Sequence, residues 1–150
     1  MLAVKLSGEQ RSPDPGRWLG SRHLSVLPRQ VPLVEFLRGM VLQSPAHAER
    51  FHVVYLDGQR SYLGDASLGR GSVGALSLRM RSVFSRALSL GASSLVVAHN
   101  HPSGLCRPSE KDIVATRRLN DIASALDIEL VDHLIFTRTA VYSMRAGGDL

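Results

Sequence analysis

Apolar residues at Leu33, Val34, Leu37 and Val41 fall near helical spacing, which predicts a first helix over residues 32–43, ended by Pro45. From Arg50 to Asp57 the pattern changes to alternation, rich in Val, Phe and Tyr, and predicts a strand. Asp57-Gly58 then signals a hairpin into a second strand near residues 61–63. Residues 68–78, punctuated by Gly69, Gly71 and Gly74, read as a connection that can add a further strand. A helix over residues 79–90 closes at Gly91, in a C-cap position. The run Ser94 to Ala98 predicts a buried central strand. Ala115, Leu119, Ile122 and Leu126 form a stripe at steps of four, three and four, the mark of a helix with one face on a sheet. Strands follow at residues 128–131, 134–136 and 141–143. No internal repeat or low-complexity tract interrupts this order, and the sum is an α/β sandwich with helices packed on a mixed β-sheet. Residues 1–27 carry Gly, Ser, Pro and Arg with little periodicity and predict a flexible N-terminal arm ahead of a domain at 28–150. Trp18 is the anomaly in that arm, an anchor to the domain or to a partner.

Composition narrows the class. At 150 residues and 44% apolar content the chain can bury one substantial core and has no room for a second. A single cysteine forbids an internal disulfide, so the fold does not depend on an oxidising compartment. No apolar run approaches the roughly 20 residues needed to span a bilayer, and the first seven residues are too briefly apolar for a signal peptide, which makes the cytoplasm the default location. The net charge of +5 is uneven: residues 1–100 hold twelve Lys/Arg against six Asp/Glu, and 101–150 hold six against seven. Arg79, Arg81 and Arg86 form the one local cluster, without interleaved aromatic residues for base stacking. A solvated basic face is the plainer reading, and any nucleic-acid binding through it is weak and steeply salt-dependent. Oligomeric state has no signature in the sequence.

The chemistry concentrates in His99-Asn100-His101-Pro102-Ser103-Gly104, followed by Pro108-Ser109 and Asp112, at the spacing H-x-H-x7-S-x2-D. Alternation at a strand end sends His99 and His101 to one side and Asn100 to the other. The loop 102–108 returns the chain to Ser109, a helix N-cap residue, with Asp112 one turn in, so a carboxylate can join two imidazoles on one ion. Three protein ligands with an open fourth position form the pattern of a catalytic zinc site. The same residues have a structural reading: paired histidines without metal, and a capping box from Ser109 and Asp112. Cys106, between the ligands, is an inert thiol, a fourth ligand that closes the site, or a redox-sensitive group.

With HNHPSG, then PS and D, then TRRL at 116–119 and DHL at 132–134, the chain resembles the JAB/MPN domain of RadC-like proteins, which carries the JAMM metalloprotease motif. Further landmarks are Glu49-Arg50-Phe51 leading into Val54-Tyr55-Leu56-Asp57, Gly71-Ser72, and Arg81-Ser82-Val83-Phe84 ahead of Ala87-Leu88. The resemblance implies a fold related to cytidine deaminases and one zinc ion per chain, held by His99, His101 and Asp112. It also implies a glutamate, matched by Glu49, as proton shuttle, and a motif serine, matched by Ser109, as donor to the oxyanion. Glu35 is the competitor for the glutamate, but it sits in a predicted helix without the flanking pattern. Ser82 stands where the family pattern has glutamate after arginine, and Gly71-Ser72 where it has Gly-Thr; neither touches a ligand position. Longer RadC-like proteins carry an additional N-terminal helix-hairpin-helix segment, and the 48 residues ahead of Glu49 lead us to expect the short form.

Two functions stay open at this point. One is a zinc-dependent hydrolase acting on a peptide or isopeptide bond in a peptide or protein substrate. The other is a non-enzymatic accessory protein of DNA repair or recombination, with a structural zinc and weak nucleic-acid binding. Ligand count separates them, since a fourth protein ligand such as Cys106 would close the site. A third reading, an interaction module that has lost its metal, conflicts with the intact motif. Deamination expects H-x-E and P-C-x-x-C, and the chain has neither.

Overall fold

The structure is a computed structural model that describes residues 33–44, 47–70 and 73–150. The expected arm at 1–27, Trp18, Pro45 and Gly71-Ser72 lie outside the described residues. The elements in chain order are α1 (Leu33–Val41), β1 (Arg50–Leu56), β2 (Tyr62–Arg70), α2 (Val73–Leu90), β3 (Ser94–Asn100), α3 (Glu110–Ala125), β4 (Glu129–Phe136), β5 (Val141–Ser143) and α4 (Met144–Gly147). The strands form one sheet in the order β2-β1-β3-β4-β5. Strands β3 and β4 are parallel, and the other pairs are antiparallel. A parallel pair needs a crossover, and α3 supplies it.

Helices cover both faces of this sheet. On one side α1 lays Leu37 and Val41 against Val54, Leu56, Val96, Ala98, Leu134 and Phe136. On the other, Met80, Val83, Phe84 and Ala87 of α2 and Ala115, Leu119 and Ala123 of α3 pack on Phe51, Val53, Tyr55, Leu95 and Val97. All seven residues of β3 are buried, which is why its apolar run shows no alternation. The expected mixed-sheet α/β sandwich is the observed fold, and its most protected strand delivers His99.

Four local expectations need correction. The second strand runs from Tyr62 to Arg70, well beyond residues 61–63, and α2 begins at Val73, six residues before the expected start at 79. Of the glycines read as a connection, Gly69 is a strand residue at the sheet edge and Gly74 lies in α2. At Gly64 the strand runs close under α2: a Cβ would sit 3.2 Å from Leu90 Cδ1, so that side chain would have to shift to admit one. Residues 129–136 form one strand rather than two. Asp132, between the two expected strands, is satisfied inside the fold: it accepts from the His133 amide at 2.7 Å and the Arg145 amide at 3.1 Å. Finally, Leu126 does not share the buried stripe of α3. It is 38% exposed, and Asp112, Ala115, Thr116, Leu119 and Ala123 make up the inward face.

Candidate metal centre

Three elements bring the motif together. His99 lies near the end of β3, His101 one residue beyond it, and Asp112 in the first turn of α3. One ligand atom from each falls within 4.8 Å of the other two. His99 Nε2 and His101 Nε2 are 2.9 Å apart, and each lies 3.2 Å from a different Asp112 oxygen: Oδ1 for His99, Oδ2 for His101. Expected from i, i+2 geometry, the two imidazoles do converge. Asn100 points the other way, accepting from the Arg50 amide at 2.7 Å and donating to the Ala48 carbonyl at 3.1 Å. Those two bonds bracket Glu49. Sequence reasoning placed Asn100 outside the site, yet it ties the segment bearing Glu49 to the strand end bearing the histidines.

Ser109 caps α3 as expected, with both halves of the capping box present. Its hydroxyl donates to Asp112 Oδ2 at 2.7 Å, its amide donates to the same oxygen at 2.8 Å, and its Oγ accepts from the Asp112 amide at 3.2 Å. Oδ2 is therefore saturated by the cap. Oδ1 is buried and has no hydrogen-bond partner among the described residues. A buried carboxylate oxygen left unsatisfied costs free energy unless a cation or donor meets it. Two neutral nitrogens and one carboxylate oxygen form a donor set that suits zinc, so the residues present fit such an ion.

The surrounding contacts set the electrostatics. His101 Nδ1–H donates to the Leu105 carbonyl at 2.8 Å, and since a carbonyl only accepts, the lone pair of neutral His101 lies on Nε2, facing the cluster. Phe51 stacks on the His99 ring at 4.7 Å between centroids and 16° between planes. Burial pushes the His99 ring below its ordinary pKa, against the pull of Asp112. For His101 burial also acts downward, but bonding to Asp112 and Leu105 outweighs it and the value rises. Burial alone would raise the Asp112 carboxyl; the interactions with His101 and His99 hold it well below the usual carboxylate range. An anionic aspartate is the form a metal requires.

Glu49, half-buried just ahead of β1, lines a cleft of about 300 Å³ together with His101, Ser103, Leu105, Arg107, Pro108 and Ser109. Its charge reaches both histidines. Glu35 is exposed on α1 and pairs with Arg38 at 3.7 Å. Cys106 is buried outside the cluster, its thiol donating to the Ile135 carbonyl at 3.4 Å, and burial raises its pKa. Two residues without an assigned role lie behind the centre. His133 and Thr116, both fully buried, continue from His99 in a line of side-chain contacts. Their signal in the sequence was a histidine inside an apolar strand and a threonine one turn beyond Asp112.

A family profile described as RadC-like JAB domain matches residues 30–149. The chain is similar to a UPF0758 protein of Ruegeria pomeroyi, at 42% identity over 102 residues, and to one of Vibrio vulnificus, at 39% over 102 residues. Each alignment takes in 68% of this chain and 46% of the relative. A UPF0758 protein of Acidithiobacillus ferrooxidans is 34% identical over 143 residues, 87% of this chain and 60% of its own length. The chain thus spans about half the length of the curated relatives it matches. With the profile covering most of the chain and these relatives agreeing with it, the protein belongs to the RadC-like JAB domain family.

Proposed function

We propose that this chain is a zinc-dependent hydrolase of peptide or isopeptide bonds. The observation that carries the reading is the convergence of His99, His101 and Asp112 beside a cleft that Glu49 lines, with Asp112 Oδ1 unsatisfied. Zinc, when bound by those three residues, supplies Lewis acidity that makes water a nucleophile near neutral pH. Glu49 accepts the proton of the attacking water and delivers it to the leaving amine. Ser109 donates its hydroxyl to the developing oxyanion. To do so it releases Asp112 Oδ2, which keeps the Ser109 amide as donor. The bond to the Leu105 carbonyl and the Phe51 stack orient the rings before substrate arrives.

The accessory reading, with a structural zinc, needs a fourth protein ligand. Cys106 was the candidate, and its thiol is spent on the Ile135 carbonyl. That contact weighs toward an open site. Exposed Arg79, Arg81 and Arg86 on α2 keep weak nucleic-acid binding as a secondary property, to be read from its salt dependence. Hydrolysis is tested on a panel of peptide and isopeptide substrates with zinc content measured alongside. Glu49→Gln should retain zinc and lose at least 100-fold in turnover, on the order expected for a missing general base, whereas His101→Ala should lose both. A Glu49→Gln protein with full activity would overturn the assignment.

A further inference from the structure

The His99 ring has two nitrogens, and the metal centre uses only one. The other, Nδ1, lies 2.7 Å from His133 Nε2; His133 Nδ1 lies 2.6 Å from Thr116 Oγ1, and Thr116 Oγ1 lies 2.6 Å from the Asp112 carbonyl oxygen. His99, His133 and Thr116 are all fully buried. Each of these short contacts lies behind the ligand atoms, where no ion can take a proton's place, and so needs one proton between its heavy atoms, because two lone pairs at such distances repel. The carbonyl of Asp112 can only accept, so the Thr116 hydroxyl spends its single proton there. The proton between Thr116 and His133 then comes from His133 Nδ1. Neutral His133 has no second proton, so its Nε2 accepts, and the proton in the last contact belongs to His99 Nδ1.

We infer that Thr116 and His133 are positioning residues that fix the tautomer of His99, through a directed relay from His99 Nδ1–H to the Asp112 carbonyl, and so leave the Nε2 lone pair facing Asp112 and His101. This rests on the reading of His99 as a metal ligand and adds a property that reading does not contain. The relay starts at one ligand and ends on the backbone of another. Turning α3 so as to move Asp112 also moves the terminus of the hydrogen-bond chain that prepares His99. Partners of this kind behind a ligating histidine are worth roughly 10–100-fold in metal affinity.

Thr116→Val keeps the side-chain shape and removes the hydroxyl. With no partner on its Nδ1, His133 can turn its proton to Nε2 and toward His99, which forces the His99 proton onto the metal-facing nitrogen. Zinc affinity, measured by competition with a chromophoric chelator, should fall about 10–100-fold in Thr116→Val and return in Thr116→Ser. Circular dichroism of both variants should match that of wild type. Nitrogen-15 ring spectra of the metal-free protein, taken above neutral pH, should show His99 protonated at Nδ1 in wild type and at Nε2 in Thr116→Val. Wild-type His99 protonated at Nε2, or a folded Thr116→Val with unchanged zinc affinity, overturns the relay. A wild type with the expected tautomer that takes up no zinc supports the relay and overturns the hydrolase reading, so the two fail separately.

Discussion

Asp112 shows how much one side chain can be asked to do. Oδ2 belongs to the helix cap, Oδ1 to the cluster, and the backbone carbonyl to Thr116. The capping box of Ser109 and Asp112 is formed, and the same geometry leaves the other carboxylate oxygen facing His99. The clustering of His99, His101 and Asp112 was legible because i, i+2 spacing on a strand and a cap one turn ahead are local rules. His133 was not, since its value depends on pairing across β3 and β4, which no local pattern encodes. A partly buried pair, remote in sequence from the motif, gives a pH prediction at this scale. The His52 ring meets Asp65 Oδ2 at 2.7 Å, and Tyr62 donates to the other oxygen, Oδ1. Bonding to His52 is the main reason the Asp65 carboxyl lies below its ordinary value of 3.8. Between the folded and unfolded values only the unfolded chain binds the proton, so stability falls as pH drops through that interval. The unfolding free energy of wild type should therefore converge on that of Asp65→Asn as pH falls from about 5 to about 3. A gap that widens on acidification would contradict the assignment.

Elements were legible where periodicity met a clear stop. The end of α2 was, because Gly91 at φ +64° closes it, with the Gly91 amide on Leu88 and the Ala92 amide on Ala87. Its start was not, since Gly74 inside the helix reads as a break by propensity. The end of α3 uses the same closure with Asp127 in the left-handed region at φ 55°, a place where sequence rules look for glycine. That substitution let the apparent stripe run on to Leu126. The corrected face has an energetic consequence. Leu119 is fully buried between α2, α3 and the sheet, so Leu119→Ala should cost about 2–5 kcal/mol in urea unfolding. Leu126→Ala, at a 38% exposed position, should cost well under half as much. Equal losses at the two sites would restore the original stripe.

For the whole molecule, the α/β class followed from the order of strand and helix patterns, and the observed sheet has the mixed character expected. What the pattern could not supply was sheet order, which decides that β1 and β4 flank β3. That order is what places Glu49, at the mouth of β1, and His133, within β4, on either side of His99. Among the described residues no helix is long and apolar enough to cross a membrane. The proposed function requires that His99, His101 and Asp112 hold a zinc ion with a position left open for water. X-ray absorption at the zinc edge of the zinc-loaded protein tests it most directly. The expected first shell contains only nitrogen and oxygen at about 2.0–2.1 Å, with two imidazoles and four ligands in all, and His101→Ala should abolish it. A sulfur scatterer at about 2.3 Å, the signature of Cys106 closing the site, or zinc uptake unchanged in His101→Ala, would contradict the claim.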